Sequence, residues 1–247
     1  MKNHFYMPYA GNKRLEVEDI EKTLNFDNIT TIVEPFCGSC AISFYIASKH
    51  SGFKFILNDN NKFLNEMFEI LKDDDKIIKF ENEFNNLQID LTKEKYLKII
   101  SGDNVMSWFI KNKIYCIRPG LFQLDYKIKN LNLKVIPIYS FFKNNDIKFY
   151  TGCGVECYKK YKDNTECLII LDPPYLATCN DFYFDSSVNI YEYLSLNDIN
   201  KESAKIYLVL ENIWIMKLLF RYNKILLEYD KLYQTSKKKT THFIIGQ

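Results

Sequence analysis

What this chain lacks narrows its class before any motif is considered. No stretch of its 247 residues approaches the roughly 20 consecutive apolar residues that a transmembrane helix needs, and the opening MKNHFYMPYAG has no apolar signal core. The seven cysteines are an odd number at irregular spacing, which does not fit the disulfide framework of a small secreted protein. We therefore expect a soluble cytoplasmic protein with reduced thiols.

Metal-ligating residues are also scarce. The three histidines, His4, His50 and His242, are too scattered for a metal site or a catalytic triad, so we expect them at the surface or at helix ends. Cys37 and Cys40 lie in a turn described below, and the other close pair of cysteines has an unusual spacing for zinc. No metal is expected.

Charge is nearly balanced over the whole chain but unbalanced along it. The sequence has 33 Lys and Arg against 31 Asp and Glu, a formal charge of +2. Between residues 111 and 148, eight basic residues stand against two acidic ones, which leaves +6 there and −4 for the remainder. Such asymmetry is compatible with a nucleic-acid-binding face, although a solvated lysine surface is its commoner cause.

The clearest chemical signal is the run LIILDPPY at residues 168–175. Its four apolar residues predict a buried strand, and the two prolines end that strand at the carboxylate of Asp172. Ligands of open α/β sheets bind at the carboxyl edge of the strands. Asp172 and the Pro173 carbonyl offer acceptors there, and Tyr175 offers a flat ring. Together they suit a planar ring that carries an exocyclic amino group.

A second strand-to-helix turn lies earlier in the chain. Residues 31–33 predict a buried strand that ends in Glu34, Pro35 and Phe36, and small residues then lead into an apolar helix. Only Gly38 stands where the dinucleotide fingerprint has three glycines. A cofactor without a pyrophosphate is therefore favoured.

Two further features fit a cofactor site of this kind. A second strand at 53–57 is followed by Asp59, 21 positions after Gly38, where Rossmann-like folds place a carboxylate for ribose hydroxyls. At the amino end, a loop with Gly11 leads into a helix whose first turn carries Lys13. The exposed amides of that loop could hold a carboxylate or phosphate.

The middle of the chain differs from its two ends. Residues 73–144 carry short, charged helical patterns with interleaved aromatic residues, which predict an inserted, mainly helical subdomain. An α/β domain formed by 1–72 and 145–247 surrounds it. A loop-like stretch at 177–197 is long enough to be a lid.

Four short sequence motifs, and their order along the chain, resemble those of the Dam-type (D12 class, alpha-group) DNA adenine-N6 methyltransferases. The resemblance covers essentially the whole chain, and it is weakest in the insertion. It implies a Rossmann-like S-adenosylmethionine-dependent methyltransferase sheet with an inserted, mainly helical target-recognition subdomain. The landmarks are YAGNK at 9–13, EPFCG at 34–38, ND at 58–59 and DPPY at 172–175.

The resemblance also implies a reaction. Methyl from S-adenosylmethionine passes to N6 of an adenine that is flipped out of the duplex and oriented by Asp172, Pro173, Pro174 and Tyr175. The residues implied for cofactor binding are Tyr9, Ala10, Gly11, Lys13, Glu34, Pro35, Phe36, Gly38 and Asp59.

DNA is the partner that the resemblance implies, and the basic residues of the insertion and of the last loop are the expected contacts. These are Lys113, Arg118, Lys127, Lys129, Lys237, Lys238 and Lys239.

Three positions depart from the family pattern. Cys40 replaces a second glycine, Pro119 replaces a residue of the insertion signature, and His242 replaces a commonly acidic residue. Two alternatives therefore stay open: an amino-methyltransferase acting on cytosine N4 or on RNA, and a catalytically silent nucleic-acid-binding module.

Overall fold

A computed structural model of the chain describes residues 13–87, 92–117, 131–135, 137–175, 202–232 and 239–246. The described residues form two compact units. The sheet unit comprises those of Lys13–Asn61 and Asn145–Gln247, and the helical unit comprises those of Lys62–Asn144.

The sheet unit contains a seven-stranded sheet in the order β3-β2-β1-β4-β5-β7-β6. The first five strands are parallel where they pair, and β7 is antiparallel to both β5 and β6. This is the 3-2-1-4-5 order of a doubly wound sheet, which confirms the expected Rossmann-like fold. The strands are β1 Thr31–Glu34, β2 Lys54–Asp59, β3 Asp146–Thr151, β4 Cys167–Leu171, β5 Lys205–Glu211, β6 Ile225–Leu232 and β7 Lys239–Gly246.

Continuous apolar runs explain why the central strands form. Parallel strands covered on both faces are hydrophobic throughout, and β4 (CLIIL) is buried at every position. Ile169, Leu208 and Phe243 belong to one buried cluster that joins three neighbouring strands. Since β1, β2, β4 and β5 are parallel, Glu34, Asp59, Asp172 and Glu211 come to the same edge of the sheet.

Nine helices lie within the described ranges. They are α1 Val17–Glu21, α2 Ala41–Lys49, α3 Lys62–Leu71, α4 Asp74–Leu87, α5 Lys93–Ile100, α6 Val105–Ile117, α7 Pro137–Asn144, α8 Gly154–Tyr161 and α9 Trp214–Leu219, with a 3-10 turn at Leu133–Val135. None of them is long and apolar enough to cross a membrane.

Two details differ from the sequence-based expectation. Lys13 does not stand in the first turn of α1 but just before it, where its carbonyl accepts hydrogen bonds from the Glu16 and Val17 amides, both 2.9 Å long. Helix α8 was not anticipated, because its short sequence has few apolar residues. Val155 and Tyr158 nevertheless supply a buried face, and α8 packs against β2 and β4.

The helical unit has an aromatic core of its own. The apolar face of α3 is buried, and α3 packs against α4, α6 and α7. Phe109 of α6 meets two rings of α4 edge to face, with centroid distances of 5.4 Å to Phe80 and 5.6 Å to Phe84. Such pairs stabilise a small core beyond the area that they bury.

Candidate active site at the carboxyl edge of the sheet

Asp172 follows β4 directly, and two side chains hold its carboxylate. The Tyr175 hydroxyl donates a hydrogen bond of 3.0 Å to Oδ1, and Lys13 Nζ forms an ion pair with Oδ2. The side chains of Lys13 and Asp172 are only 5% and 15% exposed. Lys13 Nζ also lies 5.1 Å from the centroid of the Tyr175 ring, within cation–π range. Lys13, which was expected to bind the cofactor, thus contacts Asp172 and Tyr175, which were expected to be catalytic.

His242 supports the other side of Tyr175. The two rings meet edge to face, at 88° and with centroids 4.8 Å apart. Nε2 of His242 lies 3.1 Å from the Thr240 hydroxyl, and the ring of Tyr229 lies at a centroid distance of 5.6 Å. The buried Nδ1 of His242 has no hydrogen-bond partner among the residues that the structure describes.

The position of His242 corrects the expectation that it lies at the surface or at a helix end. It is buried because β7 pairs with both β5 and β6, an arrangement that local sequence patterns do not reveal. The same expectation is confirmed for His50, which caps α2 and lies 2.7 Å from the carboxylate of Glu21. His4 lies outside the described residues.

The surroundings of His242 keep it neutral. Burial, together with the nearby cations Lys13 and Lys231, lowers the pKa of His242 to about 3. Burial and Lys13 likewise lower the pKa of Lys231, while Glu16, which lies 2.6 Å from its Nζ, opposes that shift. Neither Lys231 nor Glu16 was singled out from the sequence, since neither belongs to a recognisable motif.

Glu34 ends β1 and is fully buried. Its Oε1 accepts a hydrogen bond of 2.7 Å from the amide of Ser43, in the first turn of α2. The pKa of Glu34 is raised to about 7, mainly by burial and also by the charge of Asp172. The hydrogen bond from Ser43 and the charge of Lys13 oppose this rise. Glu34 therefore changes its charge near neutral pH.

The turn between β1 and α2 is shaped by two residues with positive φ. Gly38 has φ 47° and Cys40 has φ 59°, a left-handed conformation that glycine adopts more easily than cysteine. Cys40 thus adopts a conformation that the glycine of the family pattern noted above would adopt without strain. The Cys37 amide donates a hydrogen bond of 2.9 Å to the Asn58 carbonyl, which ties the turn to the end of β2.

Asn58 and Asp59 at the end of β2 form hydrogen bonds with the turn between β1 and α2. Asn58 Nδ2 donates hydrogen bonds of 2.9 Å to the Pro35 carbonyl and 3.0 Å to the Gly152 carbonyl. Asp59 accepts one bond of 3.0 Å from the Gly38 amide and one of 2.9 Å from the Asn61 amide. Burial raises the pKa of Asp59, and these two hydrogen bonds oppose the shift.

Phe36 completes the lining of the turn. Its half-buried ring lies against Gly154 at the start of α8, where a side-chain Cβ would come within 2.3 Å of the ring. The turn from Glu34 to Ala41 contains no lysine or arginine. A carboxylate beside a glycine turn and an aromatic ring suits a nucleoside cofactor without phosphate groups, and these residues therefore fit S-adenosylmethionine.

The cysteines of the turn are buried free thiols. Burial raises the pKa of both Cys37 and Cys40, so both stay protonated near neutral pH. In the described part of the chain, no three His, Cys, Asp or Glu side chains are grouped as metal ligands.

Of the remaining predicted site residues, only some lie among the residues that the structure describes. Lys113 lies on α6 and Lys239 begins β7. The other predicted DNA contacts, the loop residues before Lys13 and the expected lid lie outside the described residues. These are Tyr9, Ala10, Gly11, Arg118, Lys127, Lys129, Lys237, Lys238 and the stretch 177–197.

Two of the eight basic residues counted between 111 and 148 are engaged within the helical unit. Lys134 and Lys143 lie 3.7 Å and 3.3 Å from the carboxylate of Asp74. Tyr139 also donates a 2.8 Å hydrogen bond to Asp74, and its donation is the largest of the effects that lower the pKa of that carboxyl. Part of the local positive charge is therefore neutralised inside the unit.

Comparison with known proteins agrees with this geometry. Residues 9–119 match the profile of the D12 class N6 adenine-specific DNA methyltransferase family. The type II methyltransferase M.MjaIII of Methanocaldococcus jannaschii is 27% identical over 246 aligned positions, which cover 82% of each chain. The rRNA methyltransferase aviRa from Streptomyces viridochromogenes has a TM-score of 0.43 and 14% identity, over 96% of this chain and 85% of that one. That likeness is too weak to bear on the assignment. Residues 9–119 are thus similar to the D12 class N6 adenine-specific DNA methyltransferases, and the DPPY motif at the edge of a Rossmann-like sheet agrees with that similarity.

Proposed function

We propose that this chain methylates N6 of adenine in DNA, and that Asp172, the Pro173 carbonyl and Tyr175 receive the target base. The observation that carries the proposal is the arrangement of Asp172, whose carboxylate is fixed at the end of β4 by Tyr175 and Lys13. A positioned acceptor next to an aromatic ring matches the amino group and the flat face of adenine.

The chemistry explains why acceptors are needed. The N6 lone pair of adenine is delocalised into the ring, so the amino group is a poor nucleophile. Hydrogen bonds from the amino group to Asp172 and to the Pro173 carbonyl stabilise the positive charge that develops on nitrogen during attack. Because Lys13 and Tyr175 already hold the carboxylate in place, little reorganisation is required at that moment.

Tyr175 stacks on the target base in this proposal. A paired amino group cannot reach a methyl donor, so the base must leave the duplex first. Contacts with Asp172, Lys13 and His242 fix the position of Tyr175, whose side chain is buried at this edge of the sheet.

The family and the fold imply that S-adenosylmethionine is the methyl donor. When bound, it supplies a methyl group activated by its sulfonium. In our proposal, Phe36 and Gly38 line its body and Asp59 accepts from the ribose hydroxyls. Glu34 and Pro35 shape the turn, and Tyr9, Ala10, Gly11 and Lys13 lie near the methionine end.

We also propose that the helical insertion at 73–144 recognises DNA, within a catalytic domain formed by 1–72 and 145–247. The support is the positive charge of residues 111–148 in the sequence. The proposed contacts are Lys113, Arg118, Lys127, Lys129, Lys237, Lys238 and Lys239.

The deciding experiment identifies the methylated nucleoside. Purified protein is incubated with methyl-labelled S-adenosylmethionine and, separately, with duplex DNA, single-stranded DNA and RNA of mixed sequence, and the products are digested and separated. We expect N6-methyladenine from DNA. N4-methylcytosine, or label on RNA alone, would contradict the proposal. DNA binding without any transfer would favour a silent binding module.

A further inference from the structure

The sheet unit has an exposed face where apolar and basic side chains alternate. We call it the aromatic–basic stripe. Its large apolar members are well exposed: Trp214 by 75%, Leu218 by 48%, Tyr222 by 83% and Ile225 by 45%. The stripe consists of Trp214, Lys217, Leu218, Arg221, Tyr222 and Ile225.

The six residues come from one short segment of the chain. Trp214, Lys217 and Leu218 recur at helical intervals on α9, Arg221 and Tyr222 lie in the turn after it, and Ile225 begins β6. The opposite face carries Met216 and Phe220, which are buried in the core. A surface helix normally exposes polar residues on its outer side, so a tryptophan and a leucine there need another explanation.

The concentration of these side chains is unusual within this molecule. Eight large hydrophobic residues are exposed in the described part of the chain, and four of them lie between residues 214 and 225. The other four are scattered singly along the sequence, which is ordinary for a protein surface. Four exposed apolar residues within twelve positions are, by contrast, a concentration of the kind found at interaction sites.

Charge indicates what the stripe binds. Residues 212–225 include three lysines or arginines and no acidic residue. A second copy of this face would bring like charges together, whereas a polyanion would be attracted. Arg221 already lies with its guanidinium carbon 4.7 Å from the centroid of the Tyr222 ring, so a cation and an aromatic face are presented side by side.

The stripe begins at the edge of the sheet that carries Asp172. Strands β4 and β5 are parallel, with Leu171 opposite Leu208, so the end of β5 at Glu211 lies on the same edge as Asp172. Trp214 follows that end after a short connection. DNA that places a base at Asp172 therefore passes close to the start of the stripe.

We propose that the aromatic–basic stripe is an additional DNA-contact surface, which holds the strand flanking the target adenine without reading its sequence. Lys217 and Arg221 contact phosphates, and Trp214 and Tyr222 pack on the neighbouring sugars or bases. This inference rests on the proposed function only in taking DNA as the substrate. In the sequence, the stripe is distinct from the basic insertion and from the last basic loop.

Trp214 provides a direct test, because the chain has only two tryptophans. Replacing the other one, Trp108→Phe, makes Trp214 the sole fluorescent reporter. That variant is titrated with mixed-sequence duplex DNA and with an oligothymidylate, which lacks adenine. We expect saturable quenching of Trp214 with both, weakening as NaCl is raised. Unchanged Trp214 emission, while labelled DNA shows full binding by anisotropy, would overturn the inference.

Matched variants give the second test. Lys217→Gln with Arg221→Gln is compared with Lys159→Gln plus Lys160→Gln, which removes equal charge from the exposed side of α8. The stripe variant should bind DNA about tenfold more weakly at low salt and lose roughly two units of salt slope. Its KM for DNA should rise at unchanged kcat. A salt slope equal to that of the control variant would refute the proposal.

Two further readouts separate the possible failures. Sedimentation of the wild type and of Trp214→Ala with Tyr222→Ala tests for self-association. A change of oligomeric state with unaltered DNA affinity would assign the stripe to a second copy instead. If the wild type transfers no methyl group to adenine but DNA still quenches Trp214, the proposed function fails and the stripe stands.

Discussion

The two units of this protein contain ion pairs of the same chemical type in opposite settings. In the sheet unit, Asp172 and Lys13 pair where both side chains are largely buried. In the helical unit, Asp74 pairs with Lys134 and Lys143, and its side chain is 50% exposed. Exposed pairs contribute little to stability, while removing charges from water is costly. The buried pair therefore points to function, and the exposed cluster to an ordinary surface.

Asp172 gives the strongest test of whether the buried ion pair serves function while the exposed one does not. Asp172→Ala should reduce methyl transfer by a factor on the order of 10², because a positioned acceptor for the amino group is lost. The measurement is the rate of label incorporation into DNA. Asp172→Asn keeps the shape of the side chain, and Asp163→Ala removes an exposed carboxylate as a control. Activity within a few-fold of wild type in a folded Asp172→Ala protein would show that the catalytic assignment is wrong.

Glu34 tests how much the ionisation of a buried carboxyl lowers the free energy of unfolding. Its pKa is about 7 in the folded protein, against the ordinary glutamate pKa of 4.5. The unfolded chain therefore releases this proton first, and stability falls as pH rises from about 4.5 to about 7. Relative to Glu34→Gln, the wild type should lose on the order of 3 kcal/mol between pH 4 and pH 8 in urea unfolding. Parallel pH curves for the two proteins would contradict this.

Asp59 tests whether a buried carboxylate serves the cofactor. Asp59→Ala should weaken binding of S-adenosylmethionine about tenfold through loss of the ribose contact, while DNA affinity stays nearly unchanged. Calorimetric titration with the cofactor and anisotropy with DNA measure the two affinities. Equal loss of both in a folded protein would remove Asp59 from the cofactor site.

The smallest effect is expected at Asp74. Asp74→Asn should leave the free energy of unfolding nearly unchanged and methyl transfer unaltered, since its partners are solvated. Urea unfolding at low and high salt checks this. A larger loss would mean that the cluster of Asp74, Tyr139, Lys134 and Lys143 has a structural role that its exposure does not suggest.

Much of the sheet could be predicted because buried parallel strands are local apolar runs. β1 and β4 lie within about a residue of their predicted positions. β2 runs on to Asp59, since the pairing of Asn58 and Asp59 with β3 depends on a distant strand. Helix α8 was missed because only a few apolar residues of its single short stretch face the core.

The aromatic–basic stripe was equally invisible in the sequence. Trp214, Leu218 and Tyr222 belong to an apolar helical pattern, and such residues are normally expected in the core. Their exposure depends on which side of α9 meets the sheet, and Met216 and Phe220 occupy that side.

The sequence alone determined where the apolar strands run and which groups stand at their ends, because both follow from neighbouring residues. It therefore placed Asp172, Tyr175, Glu34 and Asp59 at one edge. Only the tertiary structure decided what surrounds them. The insertion of β7 between β5 and β6 sets His242 against Tyr175, and the approach of the amino-terminal segment pairs Lys13 with Asp172. Contacts between distant segments depend on strand order and register, which local periodicity does not encode.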